Sequence, residues 1–420
     1  MIHVLRNRDF ALLWWGGLVS MLGNWMLFVA LPVYVYQATD STLATSLMFI
    51  AGAVPRVLLG SVAGVFVDRF ERKRTMVVCN LLLAATIAPL LLVTHSGAFW
   101  LIYVVAVLQS AIGQFFGPAE NALLPALVGR EDLTSANALN ALNNNLARLI
   151  GPAVGGLMVA SFGLQGVVLF DLASYLVAAL LIVLITVSSK ATEGQSLIPQ
   201  HNAFRQWFSE WCEGFAQVRH NRAVAILLAT MTLTSVGEGT FSVLLAPFVS
   251  IAFAGGALEL GWVLSAQAVG GIAGGVLIGW LGSRLSPSRL FSIGLLFIGL
   301  IDLAIFNYPT FFPDIVPALL LMAVVGVPAA AAGAGYTTLM QTNVADRFLG
   351  RVFGTVGTVL ALAMLVGMAV AGVLGDLVGV VAVINIQGVT YTLAGLLALM
   401  LLKPRHGSVA VSVEASRPPG

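Results

Sequence analysis

Residues 64–74 read Gly64-Val-Phe-Val-Asp68-Arg69-Phe-Glu71-Arg72-Lys73-Arg74, a charged knot between two apolar runs, 42–67 and 74–94. Each run approaches the ~20 residues that an α-helix needs to cross a hydrocarbon core. Working outward, the same alternation predicts spans at 10–37, 42–67, 74–94, 98–123, 136–162, 165–188, 223–250, 259–281, 288–307, 313–341, 351–375 and 379–402. Apart from Arg56 and Arg148, every Lys and Arg falls in alternate connections or at the two ends. The intervening connections, around Asp40, His95, Gln165, Glu259, Asp314 and Gly379, carry neither. Positive charge is retained on the cytoplasmic side during insertion, so both termini and all the basic connections are expected there.

Composition agrees with this reading. With 59% hydrophobic and 9% charged residues, the chain cannot cover itself with a water-soluble surface. The net charge of +2 comes from short basic flanks of apolar segments, which excludes a nucleic-acid partner. Cys79 and Cys212 both fall on the expected cytoplasmic side, so no disulfide is expected. The first apolar run is long and lacks a small-residue cleavage site; it is expected to stay as a helix. The fold class is therefore an all-α membrane protein of twelve helices, expected as a monomer in the bilayer.

One long connection divides the spans six and six, giving an N-terminal bundle (1–188), a linker (189–222), a C-terminal bundle (223–402) and a polar tail (403–420). Within the linker, Phe204, Trp207, Phe208, Trp211, Phe215 and Val218 recur at helical spacing, predicting an amphipathic helix at the membrane interface. The halves repeat. At an offset of 215, residues 53–69 lie over 268–284 and Leu31-Pro32 over Ala246-Pro247; at 216, residues 120–128 lie over 336–344 and 151–158 over 367–374. Parallel six-helix repeats place a substrate path between the halves, near the midplane, and so point to a secondary transporter.

The 64–74 knot resembles the signature loop of the major facilitator superfamily: a glycine, Asp-Arg four residues later, then a basic cluster. The resemblance implies two six-helix bundles related by a pseudo-twofold axis. It also implies a cytoplasmic latch in which Gly64 permits close helix approach and Asp68, with Arg69 beside it, caps the positive N-terminal end of the eleventh helix near Arg351. Arg72 would bridge Asp68 to Glu120. Glu71 stands where the superfamily usually has a second glycine, and the second-half copy has Ser283 in place of the acid. Helix five carries Gly151-Pro152-Ala-Val-Gly155-Gly156, which resembles the core of the superfamily's antiporter motif. Its two more distant glycines are replaced by Ala138 and Ala147. Pro152 should bend the helix, and these small residues are expected to pack against the glycines of helix eight, Gly270, Gly271, Gly274, Gly275 and Gly279, as a gate between halves. The opening residues 5–36, the stretch 123–156 and Arg347–Gly354 are similar to the drug:proton antiporter branch that contains macrolide-efflux proteins and the enterobactin exporter. That likeness implies export from a bacterial cytoplasm driven by proton entry, although Asn24 stands where members often carry an acid.

An ionised group at the bilayer centre costs roughly 2.5–3.5 kcal/mol or more, so membrane charges are functional by default. Arg56, Arg148 and Glu238 sit nearest mid-depth, while Asp171 and Asp302 lie toward the outer ends of their helices, within reach of water. Burial of a carboxyl favours its neutral form, which makes Glu238 the leading proton-coupling candidate ahead of Asp171 and Asp302. The plainer alternative is a fixed ion pair between Glu238 and Arg56 or Arg148. Asn24, Trp25, Met26, Phe28, Phe241 and Met364 are candidates to line an adaptable pocket. No nucleotide loop, metal-ligand spacing or catalytic triad stands out, so a transporter is expected rather than an enzyme, with the proton gradient in place of any cofactor. The expected cargo is a small amphiphilic molecule. Two mid-depth arginines support an anionic cargo, siderophore-like or lysolipid, as the alternative.

Overall fold

The computed structural model describes residues 2–67, 70–93, 98–187, 213, 215–282 and 285–402. Ten of its helices are long and apolar enough to cross a membrane. One of these, Trp100–Val183, is broken at Gly129 (φ 74°) and Gly163 (φ 67°). Both φ values lie in the left-handed region that a side chain disfavours, so each glycine turns the chain where no other residue would without strain. Splitting that element at the two glycines turns the ten into twelve helices.

These are α1 (Arg8–Thr39), α2 (Thr42–Val67), α3 (Arg72–Ile87), α4 (100–128), α5 (130–162), α6 (164–183), α7 (Arg222–Phe253), α8 (Ala257–Leu281), α9 (Pro287–Asn307), α10 (Ile315–Asn343), α11 (Asp346–Val378) and α12 (Val380–Leu401). The hydropathy spans match them to within a few residues. The third span was expected to run to 94, but α3 tightens after Ile87 into a 3-10 turn, Ala88–Leu92, because Pro89 offers no N–H to an α-helical ladder. α11 starts earlier than expected, at Asp346, since its first turns are polar and reach beyond the apolar stretch. Of the linker's expected amphipathic helix, the described part is helical at 215–220, with Val218 buried and Phe215 exposed; the remainder lies outside the described residues.

The repeat is visible in the caps. Asn7 and Asn221 each accept from the second and third N–H of α1 and α7. Each also donates to the last turn of another helix at the same end of its own bundle, to Leu127 O of α4 and Asn343 O of α10 respectively, both at 2.7 Å. The two helices end alike, in left-handed residues Asp40 (φ 49°) and Ala254 (φ 48°). Asn7 and Asn221, like Asp40 and Ala254, are 214 residues apart. The Pro32–Pro247 match at 215 is therefore one residue out of register: both helices are 32 residues long and are pinned at both ends by equivalent caps.

In the first half, α1 and α3 pack against the α4–α6 segment; in the second, α7 packs on α11 and α12, α8 on α10, and α9 on α10 and α12. The halves meet mainly along α5–α8 and α2–α11.

Candidate functional site

The inter-half contacts are concentrated away from the basic connections. On one side, a Cβ on Gly156 of α5 would overlap the carbonyl oxygen of Ala257, and one on Gly261 of α8 would overlap the carbonyl of Pro152. Ser265 donates to Leu149 O at 2.7 Å, and Arg148 Nη2 to Gln267 Oε1 at 3.3 Å. On the other side, Asp376 at the end of α11 caps the start of α2 in the opposite half. Its carboxylate accepts from Thr42 N (2.6 Å), Thr42 Oγ1 (2.8 Å), Ser41 Oγ (2.8 Å) and Leu43 N (3.3 Å). One turn deeper, Ser46 Oγ donates to Met368 O at 2.6 Å. Toward the basic end, a Cβ on Gly113, Gly117, Gly271, Gly275, Gly350 or Gly354 would meet nothing within 4 Å among the described residues. Among the described residues, the contacts between halves close the far end, and none of them closes the basic one.

Helix five's small residues therefore divide their work. Gly151 and Gly155 seat Trp25 and Met26 of α1 within their own half, and Pro152 and Gly156 face α8. The expected partnership with the glycine stripe of α8 is corrected by the structure. Gly270 and Gly274 pack on Ala323, Gly326 and Val327 of α10, because residues four apart share a helix face and that face points into the second bundle. It is the first part of α8, Ala257 to Gln267, that meets α5.

Between the halves lies a cavity of 830 Å³. Its wall is rich in carboxamides (Asn24, Asn80, Gln109, Gln114, Asn140, Asn143) and is completed by Phe28, Phe49, Met364 and Met368, with Arg56 and Glu120 as its charged members. Of the sequence candidates, Asn24, Phe28 and Met364 line it. Trp25 instead stacks edge-on to Phe28 with centroids 5.3 Å apart, Met26 is fully buried in the first half, and Phe241 lies in the core of the second against Phe306. Sequence reading missed the asparagines of α5. Their spacing in Asn140-Ala-Leu-Asn143-Asn144 is a helical face, and that was the available signal.

The membrane carboxyls are placed as follows. Glu238 is half-buried and accepts from Tyr391 Oη at 3.1 Å. Among the described residues it forms no ion pair, although Arg148 stands within electrostatic range. Asp302 and Asp171 are 2% and 0% exposed, so the expectation that water reaches them is corrected: neighbouring helices close over both. Gln387 Nε2 donates to Asp302 at 2.8 Å; Ser174 Oγ lies 3.1 Å from Asp171 Oδ1, and Asp171 Oδ2 has no partner.

For the latch, Gly64 lies in α2, and Asp68 and Arg69 fall outside the described residues. Arg72 donates to Ala122 O at 2.8 Å, two residues beyond Glu120, and Arg351 pairs with Glu213 of the linker.

Residues 2–418 match the family described as transmembrane secretion effector. The chain belongs to this family of the major facilitator superfamily. It is 26% identical over 376 residues to macrolide efflux protein A of Streptococcus pyogenes, covering 88% of this chain and 90% of that one. It is 29% identical over 413 residues to the multidrug efflux pump Tap of Mycobacterium bovis, covering 96% of each. Among solved structures it resembles the nucleoside transporter NupG (TM-score 0.76, 14% identity, 94% of this chain and 100% of that one). It also resembles a bacterial homologue of the iron transporter ferroportin in an inward-facing state (TM-score 0.74, 16% identity, 94% and 98%). The all-helical major facilitator fold follows from these together with the twelve helices.

The Asp376 cap yields a prediction about this transporter. Burial alone would raise its carboxyl's pKa, but the hydrogen bonds from Thr42, Ser41 and Leu43 outweigh it and hold the group below the ordinary carboxylate range. A depressed pKa means that the cap's contribution is fully present above the ordinary carboxyl value of 3.8 and is lost as pH falls through the lowered one. Asp376→Asn removes the charge and one acceptor, so the far end should open more often, by roughly two- to fivefold in population, solvent screening keeping the effect modest. Accessibility of a cysteine at Ser46 to a thiol reagent reads this directly; an unchanged labelling rate would contradict it.

Proposed function

We propose that this transporter exports small amphiphilic molecules from a bacterial cytoplasm in exchange for protons, by alternating access of the central cavity. In this reading the basic connections face the cytoplasm of the inner membrane, as do both ends of the chain, so the cavity is open inward. The observation that carries the reading is the combination of a cavity between the halves with a membrane carboxyl, Glu238, that is held by a tyrosine and, among the described residues, forms no ion pair. A carboxyl without a fixed counter-charge is able to lose and regain a proton as its surroundings alternate.

The wall supports an amphiphile. Phe28, Phe49, Met364 and Met368 offer adaptable apolar contact, and the carboxamides offer both donors and acceptors without imposing a charge. The names of the relatives, a macrolide efflux protein and a multidrug efflux pump, agree with cargo of this kind. Arg56 in the wall keeps an anionic cargo as the second reading, with Glu120 in the same wall acting against it.

Purified protein in proteoliposomes with an imposed pH gradient tests the proposal, with erythromycin and ethidium as amphiphilic probes and a lysophospholipid as the anionic one. Gradient-dependent accumulation of either amphiphile supports it. Movement of the anionic lipid alone would favour the second reading, and accumulation indifferent to the gradient would remove proton exchange.

A further inference from the structure

The two halves hold matching polar sites whose acid and amide have changed places. α6 and α12 align at an offset of 216, which pairs Asp171 with Gln387, Ser174 with Thr390 and Tyr175 with Tyr391; α1 and α7 align at 214, which pairs Gly23 with Gly237 and Asn24 with Glu238. The contacts follow the pairing. Gly23 leaves room for Asp171 and Ser174, and Gly237 leaves room for Thr390 and Gln387. Ser174 Oγ donates to the carbonyl three residues back at 2.7 Å, and Thr390 Oγ1 does the same at 2.9 Å. One buried oxygen without a partner remains in each site, Asp171 Oδ2 and Gln387 Oε1. The tyrosines complete the match: Tyr175 donates to Asn24 Oδ1 at 2.6 Å, and Tyr391 to Glu238 Oε2 at 3.1 Å. At the paired positions each site thus contains one acid, one carboxamide, one aliphatic hydroxyl and one tyrosine; Gln109 joins the first, 3.0 Å from Tyr175 Oη, and Asp302 joins the second through Gln387. The tyrosine faces the acid in the second half and the amide in the first.

We propose that Tyr391 is the positioning residue for Glu238, fixing its carboxylate and setting the pH at which it releases its proton, and that Tyr175 on Asn24 is a structural twin without that role. This inference rests on Glu238 being the proton-coupling group. A donor to a carboxylate favours the charged form, so Tyr391 promotes release of the proton. An amide does not titrate, so the same donation to Asn24 does nothing for proton binding. The titratable and charged groups facing Glu238 are Tyr391 from α12, Asp302 from α9 and Arg148 from α5. From α11, the Met364 and Gly367 backbone closes over the neighbouring Gly239. Tyr391 is the one of these that donates a hydrogen bond to Glu238, so its removal isolates the effect of that bond.

The test is an infrared titration of the full-length protein in lipid bilayers, in which the protonated-carboxyl band missing from Glu238→Gln reports Glu238 alone. Tyr391→Phe should move the midpoint of that band to higher pH by roughly one to two pH units, the worth of one hydrogen bond to a charged group. Tyr175→Phe loses an equivalent buried hydroxyl from an equivalent site and should leave the midpoint in place, which controls for loosened packing. A midpoint unmoved in Tyr391→Phe, or moved equally in both variants, overturns the assignment while leaving Glu238 as a titrating site. A wild-type protein with no band assignable to Glu238 overturns the coupling reading as well.

Discussion

Under the proposed proton exchange, Glu238→Gln is expected to abolish proton-driven accumulation while leaving binding of the exported molecule intact. Glutamine keeps the side chain's length and still accepts from Tyr391, so the 3.1 Å contact and the packing of Gly237 and Gly239 on α12 and α11 survive. What disappears is the exchangeable proton. With one proton exchanged per cycle, each pH unit across the membrane supports roughly tenfold accumulation, since one unit is worth about 1.4 kcal/mol. The glutamine variant should support none and equilibrate its probe only downhill. Probe accumulation in proteoliposomes at several imposed gradients measures this. Should Glu238→Gln still accumulate while Asp171→Asn or Asp302→Asn does not, the coupling group is one of the other two carboxyls. Loss of binding in the glutamine variant would instead identify Glu238 as a contact for a cationic cargo.

Gly156→Leu is expected to hold the far end open and stop transport. A Cβ at this position already overlaps the Ala257 carbonyl and would stand 2.8 Å from Leu258 Cα, and both obstacles are backbone, which cannot rotate aside. The leucine clashes only when α5 and α8 are together. Overpacking of this kind costs roughly 1–3 kcal/mol, which would depopulate the far-end-closed state about five- to 150-fold. Spin labels at Ala38 and Ala254, on opposite halves at the closed end, should move apart, and probe export should fall in proportion. Gly156→Ala should give a smaller shift in the same direction. Gly271→Leu, placed where a side chain meets nothing within 4 Å, is the control for a glycine replaced without blocking closure. If Gly156→Leu keeps the wild-type label distances, the α5–α8 contact is not a gate.

The structure also draws the described contacts between halves to the end opposite the charged knot. The charged knot at 64–74 drew attention to a latch at the basic end, yet the described contacts between halves lie at the other. Asp376 there caps a helix of the opposite half through four hydrogen bonds. In the sequence it is a single acid before an apolar turn, with no partner in view, because Thr42 is 334 residues away. Likewise, the glycines of α8 read as a gate because they form a stripe, but a stripe does not say which neighbour it faces.

What the sequence determined by itself was the number and order of the helices. Hydrocarbon leaves a spanning segment little choice but a helix, so local composition suffices. It also carried the two-half repeat, through spacings that differ by no more than a residue or two. Tertiary structure alone decided which side chains meet. It set the α1–α7 register at 214, through caps at both helix ends, and buried Asp171 and Asp302 where depth along a helix had put them near water. It also matched Tyr175–Asn24 with Tyr391–Glu238. A helix position fixes depth and facing only relative to its own axis; the partner on that face depends on how separate helices pack, and that is a property of the whole bundle.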